Sequence, residues 1–394
     1  MTYTTMWAYP WDLLDDGVDD VVRRMRDDIG LDAVSIATSY HSVEHLRPHT
    51  KGARMFSTVD GGIYFQPDAS LWRGVSLQPN VAPLAADRDP LAEICAAADR
   101  ADLKVESWTV CLHNSLMGRR YPTACERNAF GDLYVPHLCP SNAHVREYVT
   151  TLCRDLATNY GLFAVELESL SFGGYGHFHG HAKVGVDIGS LGRFLMSLCF
   201  CESCREMGAE AGVDVPALAD GVRAQLIEMF AHGGASVPGR PILVADALAE
   251  DSSLAALVDA RRAVVTSLTR EVRDAVGDTF LVSMQIGDST VGGWDGAEIA
   301  EVADAIELLC YTAQPARVEA MVSAASGQFC AADDLIVGLS AYTPHTPSPK
   351  VLTRNVRQAL RMGVRGFSFY NYGIMPERNL AWVRDAVAII RAAE

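Results

Sequence analysis

Short apolar runs alternate along the chain with segments whose hydrophobic positions recur every three or four residues. That is the pattern of parallel strands joined by crossover helices. Met6 to Tyr9 reads as the first strand, and a helical stripe of Val18, Val21, Val22, Met25 and Ile29 follows it. Gly30 ends that helix, as glycine does at a left-handed C-terminal cap. Ala33 to Thr38 is the second strand, and Leu91, Ile94, Cys95 and Ala98 mark a helix leading into the third at Val105 to Cys111. A stripe of Val145, Tyr148, Val149, Leu152 and Leu156 precedes the fourth strand at Leu162 to Leu167. Phe280 to Ile286, Ile306 to Tyr311, Ile336 to Ala341 and Gly366 to Tyr370 supply the remaining four, and the stripe Leu380, Val383, Val387, Ile390 closes the chain. Strand–helix units repeated in this order predict an α/β fold, a single closed (β/α)8 TIM barrel over residues 1–394, because right-handed crossovers wrap a parallel sheet in one sense. The alternative is an open doubly wound sheet. It is weakened by the sequence after strand one, Ala8-Tyr9-Pro10-Trp11, which offers no glycine-rich phosphate turn.

Two long insertions leave from the carboxyl ends of strands two and four, the face where barrel enzymes keep their chemistry. The first, 39–87, contains an expected hairpin from Arg54 to Phe65 with Asp60-Gly61-Gly62 at its turn. The second, 169–278, carries the stripes Leu191, Phe194, Leu195, Leu198 and Leu254, Leu257, Val258, Leu268. Stripes this apolar imply packed structure, and both insertions are expected to form a lid over the barrel mouth. Some of the second can also serve subunit contact, so the oligomeric state stays open.

Charge and composition narrow the partners. At 394 residues and 49% hydrophobic content the chain can bury a large core, and its formal net charge of -16 disfavours a grip on nucleic acid, which is held mainly by Lys and Arg. The first residues lack a basic start followed by an apolar run, and no stretch approaches about 18 uninterrupted apolar residues. The expectation is a cytoplasmic protein with no membrane partner. Ten cysteines spread over so long a chain read as reduced thiols.

The strongest chemical signal is Ala164-Val165-Glu166-Leu167-Glu168-Ser169 on strand four. Side chains alternate across a strand, so Glu166 and Glu168 share one face, and with Val165 and Leu167 under the helices that face is the barrel axis. Two like charges in a partly buried site raise each other's proton affinity, so one carboxyl can stay protonated near neutral pH and act as an acid. Glycosidic cleavage requires such a proton donor and a second group that stabilises positive charge on the sugar. A structural polar layer inside the barrel, neutralised by Arg or Lys, is the competing explanation.

At this strand the sequence resembles barrel glycoside hydrolases. The spacing Glu166-x-Glu168 is similar to the end of the chitinase strand-four signature, whose earlier acidic positions fall here on Gly161 and Ala164. Leu309-Cys310-Tyr311-Thr312, Gly338-Leu339-Ser340-Ala341-Tyr342 and Gly366-Phe367-Ser368-Phe369-Tyr370-Asn371-Tyr372-Gly373 look like strand ends of uncharacterised bacterial hydrolase-like barrels. The resemblance implies a TIM barrel acting on a carbohydrate-like small molecule, with no cofactor expected for catalysis. Strand seven ends without a Glu, so Asp288 is the best additional carboxylate, with a helix cap as its other explanation. Catalysis would then rest on Glu168 as the acid, partnered by Glu166 or Asp288. Candidate sugar-binding groups are His41, Trp108, His113, Asn114, His177, His179, Trp294, Tyr311, Tyr342, Tyr370 and Asn371, since aromatic faces cover C–H patches while imidazoles and amides bond hydroxyls.

Two clusters leave other readings open. His177, His179 and His181 alternate in a glycine-rich loop that could hold a metal for a metal-dependent hydrolase or sugar isomerase, or bind substrate hydroxyls. His41, His45 and His49 recur every four residues, although Pro48 would break a helix there. Cys199, Cys201 and Cys204 could give three thiolates of a structural zinc site, to be completed by a distant cysteine or histidine. A noncatalytic carbohydrate-binding barrel is the third function compatible with the sequence.

Overall fold

In the computed structural model residues 2–58, 61–176, 181–234, 243–285 and 287–394 are described. Eight parallel strands form the barrel: β1 (Tyr3–Ala8), β2 (Ala33–Tyr40), β3 (Lys104–Val110), β4 (Ala164–Glu168), β5 (Phe280–Gln285), β6 (Ala305–Leu309), β7 (Leu335–Ser340) and β8 (Gly366–Tyr370). Each pairs with the next, and β1 pairs with both β2 and β8, which closes the sheet.

Local chemistry sets the helices between the strands. Asp89 accepts from the Ala92 amide ahead of the helix Pro90–Arg100, and Asn142 accepts from the His144 and Val145 amides ahead of Ala143–Asn159. Both are side-chain caps on amides that the helix leaves without partners. Gly30 takes the expected left-handed conformation, φ 85°, behind the first helical segment. The stripe from Val145 to Leu156 is buried against the sheet, where the outward faces of Val165, Leu167, Leu281, Ile306 and Val337 join it in the main core. No helix among the described residues is long and apolar enough to cross a membrane.

The insertions differ from the pattern read in the sequence. Met55–Ser57 pairs with Glu44–Leu46, while Gly62–Ile63 adds antiparallel to the end of β2, so the expected hairpin Arg54–Phe65 does not form. Its first half is drawn away by the segment around His45, and its second half by the open edge of β2. The strand at Glu44–Leu46 also removes any helical alignment of His41, His45 and His49. Of the second insertion, Ser252–Val276 packs on Ala143–Asn159 as the barrel's own outer helix. Gly189–Met196, Glu202–Glu210, Val215–His232 and Val244–Glu250 gather around a separate core that includes Leu191, Phe194, Leu195, Leu226 and Leu257. A third excursion, unannounced by periodicity, follows β3: Ser115–Arg120 and the hairpin Cys125–Arg127/Leu133–Leu138.

The barrel interior is polar at mid-height. Towards the strand starts lie Ala164, Val282, Ala305 and Ile336. Above them, Glu166 accepts from Trp7 Nε1 at 2.9 Å and Ser35 Oγ at 2.6 Å. Trp7 is on β1 and Glu166 on β4, which are not sheet neighbours, so this bond crosses the lumen and fixes the glutamates on the inner side. Glu106 on β3 accepts from Tyr3 Oη and from Thr5 Oγ1, the latter at 2.8 Å, and Glu307 on β6 accepts from Ser368 Oγ. Burial, and then the charge of Glu166, push Glu106 up to about 7, and the same causes push Glu307 well above the carboxyl range. The direct ligands of these carboxylates are hydroxyls and indole rather than the Arg or Lys that a neutralised polar layer would use.

This arrangement has a pH signature. Because the folded-state value of Glu106 lies above its unfolded value, its contribution is fully present below about pH 4.3 and is lost as pH climbs towards about 7. Glu106→Gln keeps the uncharged shape, so its melting temperature relative to the parent should rise between pH 5 and pH 8, by on the order of 2 kcal/mol in stability. A difference that stays constant with pH in thermal melts would mean Glu106 is already ionised at pH 5.

Candidate active site at the carboxyl end of the barrel

β4 ends at Glu168, and Ser169 takes a left-handed φ of 57° that turns the chain outward into Leu170–Gly173. These residues and Glu168 line a cavity of about 240 Å³ together with His41, His113, His137, Met284, Asp288, Val291, Gly292 and Trp294. The cavity therefore takes side chains from the ends of β2, β3, β4 and β5 and from the hairpin that follows β3.

Glu168 is anchored from below. Trp108 Nε1 donates to its Oε2 at 2.5 Å, and Trp108 itself is buried against Trp7, Tyr9 and Tyr40. Burial raises Glu168 to about 7; the indole bond opposes the rise and the charge of Glu166 adds to it. Glu166, two residues earlier, lies at 2% exposure beneath the indoles and does not line the cavity. The paired glutamates thus share a face but differ in depth, and one alone reaches the space where a ligand can sit.

Asp288 lines the same cavity from beyond β5. Its Oδ1 accepts from the amides of Thr290 at 2.8 Å and Val291 at 3.4 Å, so it also caps the short helix Ser289–Gly292. The helix cap expected as its other explanation is thus formed, and the same residue also borders the cavity.

Imidazoles form the opposite wall. His41 and His113 stack with ring centroids 4.3 Å apart, and His137 stands 5.6 Å from His113. His137 was not signalled by the sequence, since it lies in a hairpin with no periodic pattern. Gly173 is packed so tightly on it that a Cβ there would come within 2.0 Å of His137 Nδ1. Trp294 closes the cavity at 8% exposure.

Other expected binding residues have different surroundings. Tyr370 shares a hydrogen bond with Tyr9 at 3.1 Å, and the rings of Tyr311 and Tyr342 lie tilted against it with centroids at 5.7 and 6.3 Å. Burial and the charge of Glu168 both act on Tyr370, which puts this aromatic group beside the acid, although none of the three tyrosines borders the cavity itself. Asn114 caps the helix Ser115–Arg120 by accepting from the Met117 amide at 2.9 Å, and Asn371 is fully buried with Oδ1 on the Gly373 amide. Those amides hold turns rather than facing the cavity. His45 and His49 bond Trp11 Nε1 at 3.2 Å and the Tyr372 carbonyl at 2.7 Å, away from the site. His177 and His179 lie outside the described residues, and His181 is exposed.

The cysteines converge more fully than the local spacing required. Cys199, Cys201 and Cys204 are joined by Cys139 from the end of the β3 hairpin, all buried, with ligand atoms within 4.8 Å of one another. Cys139 Sγ lies 3.4 Å from Cys204 Sγ and 3.6 Å from Cys201 Sγ. Four sulfurs about 3.8 Å apart are what a tetrahedron of 2.3 Å zinc–sulfur bonds requires. Hydrogen bonds from the three neighbouring sulfurs hold Cys201 far below the usual thiol range, whereas burial pushes Cys139 and Cys199 well above it. Among the described residues this is the group of three or more ligand-type side chains able to hold a metal ion.

No protein-family model matches the chain, and no curated protein does. Solved structures match its fold. Alpha-L-fucosidase isoenzyme 2 from Paenibacillus thiaminolyticus aligns with a TM-score of 0.60 at 13% identity, covering 100% of this chain and 50% of its own. This chain therefore spans half the length of that fucosidase. The fold is shared with TIM-barrel glycoside hydrolases. The glycoside hydrolase domain of PgaB (BpsB) from Bordetella bronchiseptica gives 0.58 at 13% identity over 99% of this chain and 98% of its own. The catalytic domain of a beta-amylase from Paenibacillus polymyxa gives 0.56 at 11% identity over 100% and 98%. At such identities the likeness is one of architecture, and the chemistry has to come from the cavity.

The contact between Gly173 and His137 allows a test of the cavity wall. Gly173→Ala must displace either the imidazole or the loop, which should cost about 1–3 kcal/mol as overpacking does in a filled site. A melting temperature unchanged from the parent would show that the wall is looser than the packing indicates.

Proposed function

We propose that the protein is a glycoside hydrolase that cleaves an O-glycosidic bond by carboxylate acid/base chemistry, with Glu168 as general acid. One observation carries the reading: of the glutamates inside the barrel, Glu168 is the one that lines the cavity, and burial keeps it near pKa 7, protonated at the onset of neutral pH. In the step proposed, Glu168 gives its proton to the glycosidic oxygen as the bond to the anomeric carbon breaks, and the leaving group departs as a neutral alcohol. Asp288, on the same cavity, is the partner that supports positive charge at the sugar or directs the incoming nucleophile. Glu166 is assigned a supporting part beneath Glu168, because Trp7 and Ser35 already occupy it.

His41, His113 and Trp294 are proposed to contact the sugar, His137 joins them, and Trp108 and Tyr370 set the acid's surroundings. The insertion 39–87 and the part of 169–278 that precedes the outer helix Ser252–Val276 would cover the mouth as a lid. The four-cysteine cluster is proposed to hold a structural zinc, since its donor set is soft, buried and spaced for a tetrahedron. A reducing compartment such as the cytoplasm suits ten thiols of which none is paired. The metal-dependent alternative through the histidine loop has an exposed His181 and two residues outside the described range, so nothing in the geometry favours it.

Glu168→Gln provides the test. Loss of general acid catalysis should lower turnover of an alkyl glycoside by about 10²- to 10⁴-fold, with much less effect on an activated aryl glycoside that needs little protonation. The parent's rate should fall as pH rises through about 7, where Glu168 loses its proton, and this limb should vanish in the variant. Equal losses on both substrates would make Glu168 a nucleophile. Binding of glycosides by the parent without turnover would identify a sugar-binding barrel instead of an enzyme.

A further inference from the structure

Two buried ionic side chains link the cysteine cluster to the cavity. The β3 hairpin is fastened to the Cys199 segment, for the Arg127 amide donates to Cys199 Sγ at 3.3 Å and the Phe200 amide to the Arg127 carbonyl at 2.7 Å. Its next residue inward, Glu126, is fully buried and accepts from the amides of Gly173 at 2.7 Å and Gly174 at 3.4 Å. Gly173 is part of the cavity wall, and His137 on the same hairpin presses against it. Cys139 is two residues beyond His137. Cavity wall and cysteine cluster therefore hang from one short hairpin.

Arg261 approaches from the other side. It is fully buried, its guanidinium carbon sits 4.3 Å over the Phe172 ring, and Nη2 donates to the Val291 carbonyl at 2.7 Å. Phe172 and Val291 both line the cavity. Nε and Nη1 of Arg261 are buried with no hydrogen-bond partner, an arrangement that is costly for a cation unless opposite charge stands nearby. Nη2 also donates to the Ser197 carbonyl at 3.4 Å, two residues before Cys199, which brings the guanidinium to the cysteine segment, and Glu126 is the carboxyl that favours its charge. A divalent ion held by four thiolates carries a net charge of about -2, more than Glu126 alone would supply.

We propose that the zinc tetrathiolate, with Arg261 as its buried counter-cation and Glu126 as the clamp on Gly173, fixes the Ser171–Gly174 wall of the catalytic cavity. The inference rests on the structural zinc reading given above, and it does not depend on the reaction catalysed. Arg261 and Glu126 are positioning residues in this scheme: neither lines the cavity, and each acts through the wall it holds.

The test uses the full-length protein and reads metal and backbone rather than turnover. Elemental analysis should find about one zinc per chain. Cys201→Ser should lose the metal, and amide hydrogen exchange should accelerate across 171–176 and 125–139 while 335–340, on the far side of the barrel, stays protected. Should that variant fail to fold, Glu126→Leu keeps all four thiolates and most of the volume. It should retain zinc yet exchange about tenfold faster or more at 173–174. Arg261→Met should give up zinc to a chromogenic chelator about tenfold faster than the parent, as loss of a supporting charge around a metal site does. A parent without metal overturns the zinc reading and the inference with it. Zinc present, with exchange at 173–174 unchanged in Glu126→Leu, overturns the clamp while leaving the zinc site intact. Equal rates of zinc transfer overturn the counter-ion assignment.

Discussion

The hydrogen bond from Trp7 Nε1 across the lumen to Glu166 is the constraint on which the site depends. A carboxyl placed inside a barrel has to find donors there, because no water-rich surface is within reach and an unpartnered acid would be expelled or neutralised. Trp7 and Ser35 meet that need for Glu166, Tyr3 and Thr5 for Glu106, and Ser368 for Glu307. An interior of Val, Ile and Leu layers, common in such barrels, could not accommodate them. Small hydroxyl donors leave room in this layer and the indole of Trp7 extends above it, where Trp7, Trp108, Tyr9, Tyr40 and Tyr370 pack into one cluster. That cluster is the platform from which Trp108 holds Glu168 at the edge of the cavity.

Depth along the axis then separates two chemically identical side chains. Glu166 is enclosed by its donors, whereas Glu168 keeps one flank on open space while burial still keeps its proton affinity high. Access to the cavity in this position is a consequence of geometry: a similar carboxyl one level down is enclosed by its donors. The same barrel end gathers the remaining groups from elements far apart in the chain. His41 comes from the end of β2, His113 from the end of β3, His137 from a hairpin and Asp288 from beyond β5. The segment after β4 supplies a wall from Ser169 to Gly173, and the helices that follow pack around Leu195 and Leu257 in a core of their own.

Much of this was legible in the order of residues, for local reasons. Strand and helix periods are set by backbone geometry, so the eight strands fell near their expected positions, Gly30 capped its helix and the Val145 to Leu156 stripe was buried. Alternation likewise placed Glu166 and Glu168 on the inner face. It could also have found Glu106, two residues before Trp108 on the same face of β3, and Glu307 at the middle of β6. Single acids within apolar strands carry no motif, however, so neither stands out in the sequence. Cys199, Cys201 and Cys204 were visible as a cluster for the same reason, being near one another in sequence.

What the tertiary structure alone decided are the relations between segments that share no local signal. The sequence left the fourth cysteine unnamed, since Cys139 reaches the others only through a hairpin whose pairing depends on the barrel beneath it. It showed a pair of glutamates but not their depth, which is set by the indoles of β1 and β3. Asn114 and Asn371 look like sugar ligands in a strand-end motif, yet the turns around them needed their side chains first. Periodicity thus determined the barrel and the face on which its acids lie. Three-dimensional packing determined which acid meets the cavity, because burial and hydrogen-bond supply depend on neighbours that the chain brings together only when it folds.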